Sequence, residues 1–417
     1  MTQEGMIHVA IPAMNEADFL PATIDCLATQ SFRGFKVWIC VNQPDAWWEN
    51  AEKRPICENN QRTLNHLTQQ NPVKFRILDH SSRGKGWKGK AHGVGQARKT
   101  LMDRIDQDAG PEDIILSLDA DTLFGPDYLN SVKEVFDRFP GIVALSNPYY
   151  HSLTGDEKLD RAMLRYEIYM RHYAVNMWRI RSPYSFTALG SAMAVPVNAY
   201  RKIGGMTAKK SGEDFYLLQK LRKTGWICNH NTQLVYPGTR YSDRVYFGTG
   251  PALIRGSNGD WDSYPVYDHR LFDMVRKTYD HFPHLHEASV ETPMSDFLRE
   301  KFRETDPFST IRQNAPTAAG FIKACHQKID GLRILQFLKE SAGKNPVSDE
   351  SALIRYLERF HSQHLLPEKE GGTKFFSDGE IRDLYALDFE TTGLPLLNKL
   401  RDLLRTIEIS HQQNDQP

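Results

Sequence analysis

Ile114-Ile115-Leu116-Ser117-Leu118-Asp119-Ala120-Asp121 is an apolar run that ends in two carboxylates one residue apart. A run this short, bounded by polar residues, reads as a buried parallel strand. Side chains at i and i+2 of an extended segment point the same way. Asp119 and Asp121 are therefore expected to converge just beyond the carboxyl end of the strand. In open α/β sheets that edge is where ligands bind. Two carboxylates there repel unless a cation or a nucleotide hydroxyl lies between them, and oxygen ligands suit Mg²⁺ or Mn²⁺. A strand followed by a helix-capping Asp gives the same pattern without function. The reading therefore rests on what falls in register with it.

Working outward, residues 6–250 alternate strand-like and helix-like segments. Ile7–Ile11, Lys36–Val41, Val73–Leu78 and Ile142–Ser146 read as further strands. Helical spacing marks Asp18–Thr29, Ala91–Ile105, Pro126–Phe139 and a long Met-, Tyr- and Arg-rich stretch, Asp156–Arg179. Repeated β-then-α order predicts an α/β fold with a mostly parallel sheet flanked by helices. From about residue 268 strand-like runs nearly vanish, and Ala318–Lys339, Ser351–His361 and Leu396–Ile409 read as amphipathic helices. The expected division is 1–267 for the α/β domain and 268–417 for an α-helical C-terminal region, with a polar, disordered tail from His411.

Composition narrows the classes. Lys+Arg and Asp+Glu balance at 52 each in 417 residues, so no global field points to nucleic acid. No run approaches the roughly 20 apolar residues needed to span a bilayer. Met1–Gly5 carries no leader pattern, so no secretory signal is expected. Five scattered cysteines without a Cys-x-x-Cys pair read as reduced thiols, which predicts a cytoplasmic protein.

Several further segments carry chemistry. At Pro12-Ala13-Met14-Asn15-Glu16 the first strand turns toward the first helix, and Asn15 and Glu16 suit a polar ring or a ribose. Asn15 as a helix N-cap is the plain alternative. Asn42 and Asp45 end the second strand at the same edge. The loop Ser81–Ala91 holds Arg83, Lys85, Lys88 and Lys90 among glycines, a composition that closes around phosphates or makes a solvated turn. Its Gly84-x₄-Gly89-Lys90 resembles a P-loop but lacks the Ser or Thr hydroxyl at Ala91, and Gly93-Val94-Gly95 fails as a dinucleotide fingerprint because position 98 is Arg. Small residues at Leu189–Pro196 let a ligand approach the backbone. Gly212-Glu213-Asp214 heads an apolar helix, as a capping pair or as a general base facing a pocket. Helix-head N–H groups predict an ionised Asp214 at neutral pH. Arg240 and Arg244, four apart before Phe247-Gly248-Thr249-Gly250, suit a diphosphate clamp or a surface pairing with Asp243.

Taken in order, Pro12–Glu16, Gly84–Ala91, Asp119/Asp121, Gly190 onward, Gly204-Gly205-Met206 and Gly212-Glu213-Asp214 resemble the family-2 glycosyltransferases of the GT-A fold. The resemblance covers residues 6–250 and implies a soluble, non-processive enzyme, since the Gln-x-x-Arg-Trp pattern of the membrane-embedded relatives is missing. It implies inverting transfer of a sugar from a nucleotide-diphosphate-sugar to a hydroxyl acceptor, with Mn²⁺ or Mg²⁺ on the diphosphate. Carried over by position, Asp119 would contact the ribose or uracil side, Asp121 the metal, and Lys85 and Lys90 the phosphates. Asp214 would be the base, with Glu213 positioning it or binding acceptor. Where the family has an acidic base contact, this chain has Asn42-Gln43-Pro44-Asp45. Acceptors of such enzymes are carbohydrate, lipid-linked or other hydroxyl compounds, which leaves peripheral membrane contact open. A nucleotidyltransferase or P-loop-like phosphotransferase, and a non-catalytic nucleotide-sugar binding protein, are the rival readings.

Overall fold

Seven buried residues in a row, Ile7–Ala13, form β1, the strand around which the α/β part is built. β1 pairs in parallel with β2 (Phe35–Asn42), and β2 with β3 (Phe75–His80). On its other side β1 pairs in parallel with β4 (Ile114–Ser117), Ile7 opposite Ile114. The computed structural model describes residues 5–69, 73–89, 92–209, 211–243, 248–365 and 375–415. It continues with β5 (Leu123–Phe124), β6 (Ala144–Ser146), β7 (Met193–Pro196), β8 (Ile227–Cys228) and β9 (Val235–Tyr236). The seven-stranded sheet has the order β3-β2-β1-β4-β7-β6-β8. Only β7 runs against its neighbours. This is the mixed α/β, mostly parallel sheet flanked by helices that the sequence predicts. Strand order reverses between β1 and β4, so the crevice at their carboxyl ends is the switch point where such sheets bind ligands.

The helices of this part are α1 (Leu20–Ala28), α2 (Arg54–Thr68), α3 (Val94–Asp108), α4 (Tyr128–Arg138), α5 (Glu157–Arg179), α6 (Val197–Lys202), α7 (Glu213–Arg222) and α8 (Thr249–Gly256). α2 has no counterpart in the sequence reading. Its buried face is Cys57, Asn59, Asn60, Thr63 and Leu67, too polar to show an apolar stripe. Those amides have a structural job: Asn60 Oδ1 accepts the Asn15 N–H at 2.8 Å, and Asn59 Oδ1 the Ala17 N–H at 3.0 Å.

Two compact units emerge. One comprises Met1–Met163, Phe186–Gly259 and Gln412–Pro417; the other comprises Leu164–Ser185 and Asp260–His411. The expected division after 267 thus falls at 259/260, and the later part of α5 belongs with the helical unit. The reason is packing: Leu164, Ile168 and Val175 share one core with Leu353, Leu357, Leu397, Leu400 and Leu404. The expected helix over Ala318–Lys339 is two helices, Ala318–Lys328 and Gly331–Lys344, because Asp330 caps the second by accepting the Arg333 N–H. The last helix, Leu394–Asn414, runs on into the stretch expected to be a disordered tail. Among the described residues no helix is long and apolar enough to cross a membrane.

Candidate active site

β4 ends at Ser117, so Asp119 and Asp121 lie in a turn beyond it, where the Thr122 N–H donates to the Asp119 carbonyl at 3.2 Å. A turn and not strand alternation therefore orients them, and burial, with the Asp121 charge lying close enough to add to it, pushes the Asp119 carboxyl up. Each meets its own arginine. Asp119 Oδ1 accepts from Arg98 Nη2 at 2.6 Å, and Asp121 Oδ2 from Arg240 Nε at 2.7 Å. Thr23 of α1 holds the turn in place, its Oγ1 lying 2.9 Å from the Ala120 carbonyl and 3.1 Å from that of Thr122.

Arg98, on α3, is 2% exposed and joins three elements. Its Nε donates to Ser117 Oγ at 2.9 Å, Nη2 to Asp119, and Nη1 to Glu213 Oε1 at the head of α7. Ser117 in turn donates to the Gly190 carbonyl at 2.7 Å. A Cβ on Gly190 would run into the Arg98 guanidinium. This glycine therefore makes room for the buried arginine and not, as its neighbours suggested, for a ligand. A desolvated guanidinium is tolerable only with such charge-assisted partners. The sequence reading missed Arg98, counting it only as the residue that spoils a dinucleotide fingerprint. Amid Lys99 and Arg104 it carries no local signal.

Gly212 starts α7 with φ +72°, a left-handed conformation that suits glycine. The next residue, Glu213, is 3% exposed and spent on Arg98, which makes it an anchor. Asp214 is half-buried, and its Oδ1 accepts the N–H of Phe215 at 2.7 Å. Burial, then the charge of Glu213, push its carboxyl up to about 7; Arg98 and the Phe215 N–H pull the other way and lose. Helix-head donors taken alone predict a lowered value; burial and the adjacent Glu213 carboxylate outweigh them.

β9 pairs antiparallel with β5, Leu123 opposite Tyr236, and this short ladder carries the following loop to the Asp119–Asp121 turn. There Arg240 Nη2 bonds both oxygens of Glu16 at 2.7 and 2.8 Å while Nε holds Asp121. Its guanidinium lies 4.0 Å from the centre of the Phe19 ring, a cation–π contact. Gly238 is needed here, since a Cβ would stand 2.6 Å from Asp121 Oδ2. Arg244 lies outside the described residues, as does Lys90.

The other expected contacts are placed differently. Pro12 is buried within β1. Asn15 has φ +61° and is tied to α2 by its own N–H. Asn42 is buried and used up: its Nδ2 donates to the Ala13 carbonyl at 3.0 Å, and its Oδ1 accepts Trp87 Nε1 at 3.3 Å. Lys85 Nζ sits 3.0 Å from Asp79 Oδ2, next to the end of β3. β3 is separated from β4 by two strands, about 14 Å at ordinary strand spacing. The basic loop is itself fastened down, with the Gly84 N–H on Asp45 Oδ1 at 2.7 Å and the Trp87 N–H on the Gln43 carbonyl at 2.8 Å. The structure brings together Glu16, Asp119, Asp121, Glu213, Asp214, Arg98 and Arg240, and leaves Lys85 and Asn42 aside.

The carboxylate oxygens of Asp119 and Asp121 are hard donors of the kind Mg²⁺ and Mn²⁺ take. Each carboxylate already carries a guanidinium, however, and among the described residues no group of three His, Cys, Asp or Glu could hold a metal ion. As arranged, Asp121 does not fit a divalent ion and Arg240 together.

Among solved structures, the fold is similar to S. aureus TarS in complex with UDP-GlcNAc, at 13% identity and TM-score 0.40, covering 81% of this chain and 92% of that one. It is also similar to the mannosyltransferase PcManGT from Pyrobaculum calidifontis with GDP-Man and Mn²⁺, at 15% identity and TM-score 0.33, covering 96% and 86%. A third likeness is to glucosyl-3-phosphoglycerate synthase from Mycobacterium tuberculosis with UDP, at 14% identity and TM-score 0.33, covering 61% and 80%. Likenesses this distant carry nothing about substrate. No curated protein matches the chain by sequence. The sequence pattern of glycosyltransferase-like family 2, by contrast, matches residues 4–237, more than half the chain and the whole of the crevice up to β9. The chain belongs to glycosyltransferase family 2 and is a glycosyltransferase.

Proposed function

We propose that this enzyme transfers a sugar, with inversion, from a nucleotide-diphosphate-sugar bound in the β1–β4 crevice to a hydroxyl acceptor. The observation that carries this reading is the convergence of Asp119 and Glu213, the neighbour of Asp214, on buried Arg98. One guanidinium thereby ties the donor-side turn to the residue next to the base. Asp119, 39% exposed, faces the ribose side. Arg240 faces the diphosphate, and Asp214 faces the acceptor hydroxyl.

In a single displacement the acceptor oxygen bonds to the anomeric carbon as the bond from that carbon to the diphosphate oxygen breaks. The electron pair leaves with the nucleoside diphosphate, and the acceptor proton passes to Asp214. A carboxyl raised to about 7 suits this, because a base works best with its pKa near the working pH. Arg240 supplies positive charge where negative charge develops. No step requires the divalent ion that the family resemblance implies.

The test is a panel of UDP-, GDP-, ADP- and dTDP-sugars incubated with the enzyme and a mixed saccharide acceptor pool. Released nucleoside diphosphate is read by chromatography and product anomers by NMR. One nucleotide family should be consumed, giving products of inverted configuration. Retained configuration would overturn the single-displacement mechanism, and consumption of free NTPs, supplied in a parallel panel without any sugar donor, would favour a phosphotransferase.

A further inference from the structure

We propose that Arg240 is the resident cation of the Asp119–Asp121 turn, so that this arginine and a divalent metal ion are mutually exclusive at Asp121. The inference rests on the reading of this crevice as the donor site, and it assigns the charge that neutralises the departing diphosphate to the chain's own guanidinium.

Four features fix Arg240 there. Its Nε is 2.7 Å from Asp121 Oδ2, and its Nη2 reaches both Glu16 oxygens at 2.7 and 2.8 Å. Phe19 covers one face of the guanidinium at 4.0 Å. Gly238 lets the backbone pass Asp121 where any Cβ would collide. The β5–β9 ladder sets the path of the loop. An arginine has five N–H donors. Three are engaged by Asp121 and Glu16, which leaves the Nη1 pair, among the described residues, for a phosphate oxygen. Arg240 is 19% exposed, so it is reachable from solvent while firmly held. When the anomeric C–O bond breaks, the electron pair remains on the diphosphate oxygen, beside a cation already in place. A metal ion on Asp121 would put a second positive charge against Arg240, and like charges at contact distance repel strongly. Glu16 is part of the same device: at 4% exposed it balances the arginine and keeps it aimed when Asp121 turns to a ligand.

Mn²⁺ alone is the probe, titrated into wild type, Arg240→Ala, Arg240→Lys and Arg240→Ala/Asp121→Asn, with free ion read by electron paramagnetic resonance and folding checked by circular dichroism. Arg240→Ala should bind Mn²⁺ at least about 10-fold more tightly than wild type, the scale of one charge-assisted contact. Arg240→Lys, which keeps the charge, should stay near wild type, and the double variant should lose the gain. Equal Mn²⁺ affinity in wild type and Arg240→Ala, or no binding by Arg240→Ala, would overturn the proposal. Because no donor is present, a failure here is separate from a failure of the donor reading, which the nucleotide-sugar panel tests by itself.

Discussion

The helical unit and the β1–β4 crevice both contain carboxylates locked to arginines, and they use them differently. In the helical unit Glu167 bonds Arg171 and Arg401, and Arg171 bonds Glu408, with all four side chains no more than 3% exposed. That network is closed to solvent and welds the later part of α5 to the last helix. In the crevice the arginines are equally well paired, but Asp119 is 39% exposed and Arg240 19%. Two like partners sealed from water make a scaffold. The same partners with one edge open make a place where a charged ligand can exchange for a protein group.

Asp214 gives the largest effect by which to sharpen this contrast. Asp214→Asn keeps shape but removes the proton acceptor, and transfer should fall by about 10²–10⁴ with donor affinity retained. Near-normal turnover would move the base elsewhere. In the sealed network, Glu408→Ala should cost about 3–5 kcal/mol in urea unfolding, since it leaves the Glu167 carboxylate shared between the buried Arg171 and Arg401 guanidinium groups. A loss below 1 kcal/mol, the level of surface pairs, would erase the distinction drawn above.

The raised Asp214 carboxyl has a pH signature. Transfer should rise with pH through about 7 as the base ionises. The stability sign follows from linkage. A carboxyl whose folded value lies above its unfolded value costs stability most where it is ionised in both states, above pH 7, and nothing where it is protonated in both. Asp214→Asn should therefore raise the melting temperature at pH 8, with the gain fading as pH falls toward 4. A flat difference across that range would contradict the raised value. The smallest effect is expected at Lys85, which is paired with Asp79 at the far strand. Lys85→Ala should change nucleoside-diphosphate affinity by less than about 3-fold, the scale of an exposed pair. A tenfold loss confined to the diphosphate would restore the phosphate role that the glycine-rich loop suggested.

The strands of the sheet were legible because Ile7–Ile11 and Ile114–Leu118 are apolar runs with polar punctuation, and burial on both faces demands them. Helix α2 was not, because its buried face mixes Cys57 and Leu67 with Thr63 and two asparagines, and those asparagines serve a turn some 45 residues away in sequence, Asn15 to Asn60. Six of the seven residues gathered at the crevice could be named from sequence, since turns after strands advertise themselves with Asn, Asp and Gly. Arg98 could not, because a buried arginine in a basic helix looks like a solvated one until Asp119 and Glu213 are placed around it. Pairing was equally invisible: Glu16 and Arg240 stand 224 residues apart and meet only in the folded chain. The helical unit's claim on α5 was hidden because one unbroken helix gives no boundary signal.

Calorimetric titration of UDP, GDP, ADP and dTDP into wild type and Asp119→Ala, both verified as folded, tests the central claim most directly, that the β1–β4 crevice is the donor site. One of the four nucleotides should bind wild type, and Asp119→Ala should weaken that nucleotide by about 10-fold or more, the worth of one charged hydrogen bond. Binding of equal strength in Asp119→Ala, or no binding of any of the four by wild type, would contradict it.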